Sequence, residues 1–139
     1  MERPKLAPKA ADQISRDEIL SWPKADLHCH LDGSIRLKTL IELAKEFGEE
    51  LPSTDEKELR EHLGIGKRFD NLQDYLKVFD ITLSVLQSKE ALERVAFELA
   101  EDAAAENVVY LEVRFAPVFH TSHALKWSDT VDAVLAGLK

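Results

Sequence analysis

Two short segments of alternating polarity, Lys24–Leu31 and Val108–Phe115, most constrain what this chain can fold into. In the first, Asp26, His28 and His30 share one side, while Ala25, Leu27, Cys29 and Leu31 share the other. In the second, VVYLEVRF, Val109, Leu111, Val113 and Phe115 alternate with Tyr110, Glu112 and Arg114. A period of two is the signature of a strand, and Pro117 ends the second one. Each strand therefore has one apolar side and one side carrying charged or imidazole groups.

The span between the strands reads as helix. A short turn over Arg16–Trp22 precedes the first strand and stops before Pro23. After the turn residues Asp32, Gly33 and Ser34, a helix is expected from about Arg36 to Phe47, with Leu37, Leu40, Ile41 and Ala44 as its stripe and Gly48 closing it. Thr54 is the expected cap of a short helix reaching Gly64, with Asp55 and Glu56 in its first turn. Asn71 caps the next, in which Leu72, Tyr75, Leu76, Phe79, Leu83 and Leu86 recur at helical spacing. Ser88 caps a long helix with the stripe Leu92, Val95, Ala96, Leu99 and Ala103, and Asn107 closes it. Beyond the second strand, Ser128 is the expected cap of a last helix burying Val131, Val134, Leu135 and Leu138.

Strand, helices, strand, helix is the grammar of parallel α/β structure. An open doubly wound sheet buries both faces under helices, so both strand sides would be apolar. A polar side suits the interior of a closed barrel near its active site. Such a barrel needs eight strands and about 250 residues, and this chain has 139. The expected fold is an α/β N-terminal part of a (β/α)8 TIM barrel: two parallel strands with mostly helical connections, the barrel incomplete. Residues 1–22 read as an N-terminal arm and 23–139 as the barrel part.

Charge and composition remove several functions. Eighteen Lys and Arg against 26 Asp and Glu give a net charge of −8, which opposes binding to nucleic-acid phosphates or an anionic membrane. No apolar run approaches the roughly 20 residues of a membrane span, and no secretory h-region is visible at the start. One cysteine, Cys29, excludes an intramolecular disulfide or a cysteine-rich zinc site. The expectation is a soluble cytoplasmic protein, or a piece of one, with no nucleic-acid or membrane partner.

His28-Cys29-His30 is the first candidate for chemistry. On a strand, residues i and i+2 point the same way, so both imidazoles can reach one ion; on a helix they would diverge by roughly 200°. Five His in 139 residues give roughly 0.2 such pairs by chance, so the bare motif is weak. The pair also supplies only two of the three or four protein ligands a zinc site needs. Two hydrogen-bonded strand histidines are the bland alternative. Barrel active sites, however, sit at the C-terminal ends of strands, where this pair lies. Asp32 can hold a substrate hydroxyl, support a ligand or simply cap a turn, as Asp-Gly pairs do. Glu112 and Arg114 read as a buried ion pair inside a barrel. His62, His120 and His123 read as solvated, Cys29 as an inert packed thiol, and ELAEDAAAE as a helix surface of mixed polarity. By pattern alone Tyr75 and Phe79, one helical turn apart, are core residues.

Three segments together carry a resemblance to a family. Pro23–Ser34 (PKADLHCHLDGS) closely resembles the opening strand of adenosine deaminases, and Glu106–Pro117 (ENVVYLEVRFAP) resembles their second barrel strand. Leu72–Phe79 is similar to their helix over the substrate pocket. The likeness runs in order from about Trp22 to the end of the chain. It implies a zinc-dependent hydrolytic deamination of adenosine, and of 2′-deoxyadenosine, to inosine and ammonia, with Zn2+ activating the attacking water. It implies that His28 and His30 are zinc ligands. It implies that His30 and Asp32 contact the nucleoside, Asp32 at the ribose 5′-hydroxyl, and that Tyr75 and Phe79 form the apolar wall over the purine.

Adenine deaminases typically carry Glu in place of Asp32, so the aspartate favours the nucleoside-using branch; adenine or another purine is the alternative substrate. The family's remaining zinc ligands and proton-transfer residues belong to a His-Ala-Gly-Glu stretch and an Asp-Asp-Pro stretch, and neither occurs here. The catalytic residues are therefore expected beyond Lys139, in the missing C-terminal half of the barrel. The chain alone is expected to be an inactive fragment or a non-catalytic half-barrel needing a partner.

Overall fold

The computed structural model describes residues 14–122 and 124–139. Residues 1–13, most of the expected arm, and His123 lie outside the described residues. The chain forms α1 (Arg16–Ser21), β1 (Lys24–His30), α2 (Leu37–Phe47), α3 (Glu56–His62), α4 (Leu72–Val85), α5 (Lys89–Ala105), β2 (Val108–Arg114), a 3-10 turn (Pro117–His120) and α6 (Trp127–Gly137).

The strands pair in parallel, with Lys24 opposite Val108, Cys29 opposite Val113 and His30 opposite Arg114. A parallel pair needs a long crossover, and α2 to α5 supply it. The Leu31 amide continues the ladder onto the Arg114 carbonyl at 2.9 Å. At the opposite end, the Lys24 ammonium donates to the carbonyls of Leu20, Trp22 and Glu106. The Asn107 side chain donates to the Ser21 carbonyl at 2.7 Å. These bonds fasten α1 and the end of α5 to the base of the strands.

Local chemistry starts and stops the helices. Asn71 and Ser88 accept from the amides of Asp74 and Ala91, satisfying donors that the first helical turn leaves open. Gly48 (φ 73°) and Asn107 (φ 60°) take the left-handed conformation that ends α2 and α5. Two expected caps move by one or two residues. Asp55, not Thr54, caps α3, because its carboxylate accepts from both Lys57 and Glu58 amides at 3.0 Å. α6 begins at Trp127, ahead of Ser128, and the Asp129 carboxylate reaches back to the Lys126 amide.

The core lies between the apolar strand sides and the helices. Leu31, Leu40, Leu59, Val85, Leu86, Leu92 and Val95 are fully buried, and Cys29, Leu111, Val113 and Phe115 pack against them. The packed thiol expected of Cys29 is where the alternation places it. α6 turns inward a face rotated from the one expected: Val134 is buried and Leu138 packs on the core as expected, but Thr130, Ala133 and Gly137 are buried while Val131 and Leu135 are exposed. Gly137 explains this. A Cβ there would press into the Glu93 carbonyl oxygen and come within 2.8 Å of the Ala96 Cβ, so α5 and α6 meet through the small residues.

One charged residue of the supposed helix surface is buried. Glu98 accepts from the Thr39 hydroxyl at 2.7 and 2.9 Å and from Arg94 Nε at 3.0 Å. Arg94 and Arg36 extend the network to Glu42, Glu101 and Asp102. The Arg94 hydrogen bond holds the Glu42 carboxyl below the usual glutamate range. The bonds of Thr39 and Glu42, and of Arg36 at the start of α2, lock α2 onto α5.

The other strand side stays open, and both strands keep exposed apolar groups: Leu27 is 59% and Val109 71% accessible. Two strands cannot enclose their own polar side. No helix among the described residues is long and apolar enough to cross a membrane.

Candidate active site

The open polar side ends, at the C-terminal tips of β1 and β2, in a cavity of about 410 Å³. The strand period delivers His28 and His30 to this side together. Their rings tilt by 36° with centroids 5.1 Å apart. Their Nε2 atoms lie 3.1 Å from one another. Asp26, on the same side, accepts from the His28 amide at 3.0 Å.

The 3.1 Å separation admits two chemistries. One neutral ring can donate to the other, or both lone pairs can face one ion. At a zinc–nitrogen distance of about 2.0–2.1 Å, nitrogens 3.1 Å apart subtend roughly 95–100° at a shared ion. The separation is therefore one that two nitrogen ligands of a single zinc ion can take. No group of three His, Cys, Asp or Glu suited to a metal forms among the described residues, so these bring together two candidate ligands of the three or four a zinc site requires.

Asp32 follows at the strand end and is only 8% accessible. Its Oδ1 lies 3.7 Å from His30 Nδ1, so His30 turns Nε2 toward His28 and Nδ1 toward a carboxylate. A carboxylate hydrogen-bonded behind a metal-bound imidazole orients the ring. Ser34 donates to the His30 carbonyl at 2.6 Å and closes the turn.

The aromatic residues of α4 lie beside this cluster rather than in the core. Phe69, Tyr75, Phe79 and His30 form a row of edge-on contacts with centroids 5.5, 5.3 and 6.4 Å apart. Tyr75, Leu76, Phe79 and Leu83 line the cavity with His30, Asp32, Arg114, Phe115, Ala116 and Phe119. The core reading of Tyr75 and Phe79 by pattern is thus corrected. α4 itself buries Thr82 and Val85, Leu86 at its cap is buried as expected, and Leu72 is 68% accessible. The apolar spacing marked a cavity wall with the same period as a core.

Glu112 and Arg114 do pair, at 3.4 Å, but both are half exposed rather than buried, because none of the described residues covers the polar strand side. Glu112 also accepts from the Tyr110 hydroxyl, which pushes the tyrosine pKa up. Arg114 reaches the Leu27 carbonyl at 3.3 Å and lines the cavity, a position the ion-pair reading missed. Phe119 was illegible in the sequence because the 3-10 turn after Pro117 has no strand or helix period.

The remaining histidines separate. His62 is exposed on α3, its Nδ1 2.8 Å from the Glu58 carbonyl. His120, expected to be solvated, is fully buried against Phe115. Its Nδ1 lies 2.9 Å from the Leu86 carbonyl. Burial lowers its pKa, against opposing effects of that hydrogen bond and of the Asp32 charge. Gln87, at the same turn between α4 and α5, donates to the Phe119 carbonyl and accepts from the Ser122 amide. The cavity wall beyond β2 is thereby fastened to the end of α4.

The family described as adenosine deaminase matches residues 23–139. An adenosine deaminase of Clostridium perfringens is 46% identical over 121 residues, covering 87% of this chain and 36% of that protein. Among solved structures, an adenine deaminase of Arthrobacter aurescens is 32% identical with a TM-score of 0.72, over 84% of this chain and 34% of its own. An N6-mAMP deaminase of Arabidopsis is 35% identical with a TM-score of 0.70, over 88% of this chain and 36% of its own. The chain spans about a third of the length of the relatives it matches. Its two parallel strands and helical crossover are shared with that part of TIM-barrel deaminases.

Proposed function

The chain belongs to the adenosine deaminase family, and from that premise we propose that it forms the opening third of a zinc-dependent enzyme that hydrolyses adenosine and 2′-deoxyadenosine to inosine and ammonia. The observation that carries this reading is the pair of Nε2 atoms 3.1 Å apart at the mouth of an apolar cavity. His28 and His30 would hold the zinc ion through those atoms. Zinc supplies the Lewis acidity that makes a water nucleophilic near neutral pH.

The other roles belong to the chain itself. Asp32 accepts a hydrogen bond from the ribose 5′-hydroxyl, and its carboxylate beside His30 Nδ1 keeps the ring turned to the metal. His30 touches the nucleoside from the same position. Tyr75 and Phe79 cover the purine face and exclude water from it. The remaining ligands and the proton-transfer groups come from the part of the barrel beyond Lys139, as the family resemblance implies. The proposed setting is the cytoplasm, and the proposed partners are a purine nucleoside and that remaining part of the barrel.

The 32% identity to an adenine deaminase supports a second reading, in which the substrate is a free purine base. Asp32 separates the two, since a free base has no ribose hydroxyl to offer it. The test is turnover by the complete protein of adenosine, adenine and AMP, followed by ammonia release. Adenosine is expected to have the highest kcat/KM. Adenine preferred over adenosine would replace the substrate, and no turnover of any of the three would end the deaminase reading.

A further inference from the structure

A second cavity, of about 260 Å³, adjoins the first and has no part in the proposed reaction. Ile35, Leu37, Leu63, Phe69 and Val78 give it an apolar lining. Three residues line both cavities: Asp32, Tyr75 and Phe79. The partition between the two spaces therefore consists of two aromatic rings of α4 and one carboxylate at the end of β1.

Gly33 leaves that partition incomplete. It lines the second cavity and not the first. A Cβ there would lie 3.5 Å from Phe79 Cε1, an ordinary contact distance. Without that Cβ, the turn and the ring do not close on each other, and a gap stays beside Asp32. Gly33 is not among the glycines of positive φ, so its backbone does not call for glycine; what its missing side chain provides is space.

In the proposed complex the ribose 5′-carbon lies at Asp32. A substituent on that carbon reaches the second cavity past Gly33 and leaves the purine against Tyr75 and Phe79. The lining selects its chemistry. An apolar group leaves water there. A phosphate would be set beside the Asp32 carboxylate, which is only 8% accessible, and repelled. An ether oxygen would bring a lone pair to an acceptor, so the linking atom is carbon or sulfur. An apolar cavity of about 150 Å³ holds a benzene ring, so 260 Å³ has room for a short alkylthio chain.

We propose that this cavity is an annex of the substrate site that takes a short apolar group carried on the 5′-carbon of an adenosine. The enzyme then deaminates 5′-alkylthio nucleosides as well as adenosine. The reaction is the same hydrolysis: water adds at the purine, ammonia leaves, and the 5′ group is untouched. The inference rests on the substrate role proposed for Asp32.

The experiment measures kcat/KM of the complete protein for adenosine, 5′-deoxyadenosine and 5′-deoxy-5′-propylthioadenosine. Each buried methylene contributes about fourfold, so the propylthio compound is expected to exceed 5′-deoxyadenosine at least tenfold. Gly33→Ala closes the gap at ordinary contact distance, and Val78→Phe fills the annex from α4. Both are expected to remove most of that advantage and to keep kcat/KM for adenosine within twofold. A propylthio compound no better than 5′-deoxyadenosine in the wild-type protein overturns the proposal with no variant needed. So does an advantage that survives both substitutions, or a loss in both variants that falls equally on all three substrates. If adenosine itself is not turned over, the deaminase reading ends and the annex with it. If adenosine is turned over and the advantage is absent, only the annex falls.

Discussion

Replacing Phe79 by alanine is expected to weaken nucleoside binding and leave the chemical step nearly unchanged. The Phe79 ring stands between Tyr75 and His30, at centroid distances of 5.3 and 6.4 Å. It also faces two adjoining cavities of about 410 and 260 Å³. A ring face laid on a purine removes roughly 60–80 Å² of apolar surface from water, or about 1.5–2 kcal/mol at ~25 cal/mol per Å². Aromatic contact adds about 0.5–1.5 kcal/mol. Together, about 2–3.5 kcal/mol corresponds to a loss of about 30- to 300-fold in kcat/KM. The loss falls on KM, because the interaction is made equally in ground and transition states. Phe79→Leu keeps apolar surface and loses the aromatic contact, so its loss is about 2- to 12-fold by the same conversion. Steady-state kinetics on adenosine, with thermal melts of each variant, separate the wall from a core role. A KM within twofold of wild type for Phe79→Ala, with the damage appearing only in the melting temperature, would refute the assignment.

Three further outcomes follow from the packing. Gly137→Ala is expected to destabilise the protein by about 1–3 kcal/mol, more than the ~1 kcal/mol that alanine gains over glycine inside a helix. The reason is that the new methyl meets the α5 backbone, 2.9 Å from the Phe97 nitrogen. An unchanged or raised denaturation midpoint would show that α5 and α6 do not meet there. Thr39→Val removes a hydrogen bond to the buried Glu98 carboxylate and is expected to cost about 1.5–3 kcal/mol in urea denaturation; a loss below about 0.5 kcal/mol would contradict it. The third concerns pH. Burial holds the His120 pKa below its ordinary value, so below about pH 6.5 the unfolded chain takes up a proton that the folded chain refuses. That contribution is complete above the ordinary histidine range and is lost as pH falls toward the depressed value. Wild type is expected to lose more stability than His120→Asn between pH 7 and 5.5, and equal losses would contradict the assignment.

How much was legible in the sequence varied with the kind of signal. Strand alternation placed His28, His30 and Asp26 on one side and Cys29 and Leu31 on the other, because a period of two leaves no alternative face. Side-chain oxygens at Asn71 and Ser88 marked the starts of α4 and α5 for the same local reason. Spacing failed where two surfaces share a period. The apolar residues of α4 look alike whether they face a core or a ligand, so Tyr75, Leu76 and Phe79 needed either the family likeness or the fold to be read. Long-range partners were invisible. Glu98 is buried only because Thr39 and Arg94 reach it, and His120 only because the turn at Leu86 and Gln87 folds over it. Gly137 shows the same limit: only its contact with α5 reveals that its missing Cβ is what lets α5 approach.

The proposed chemistry requires that His28 and His30 hold one zinc ion together. Zinc content of the complete protein, measured by mass spectrometry on wild type, His28→Ala and His30→Ala after dialysis, tests it most directly. One equivalent in wild type and near-complete loss in each variant is the expected result, since either change breaks the 3.1 Å pair. One equivalent retained in either variant would mean that the two imidazoles are hydrogen-bonded strand histidines and that the metal, if any, is held elsewhere.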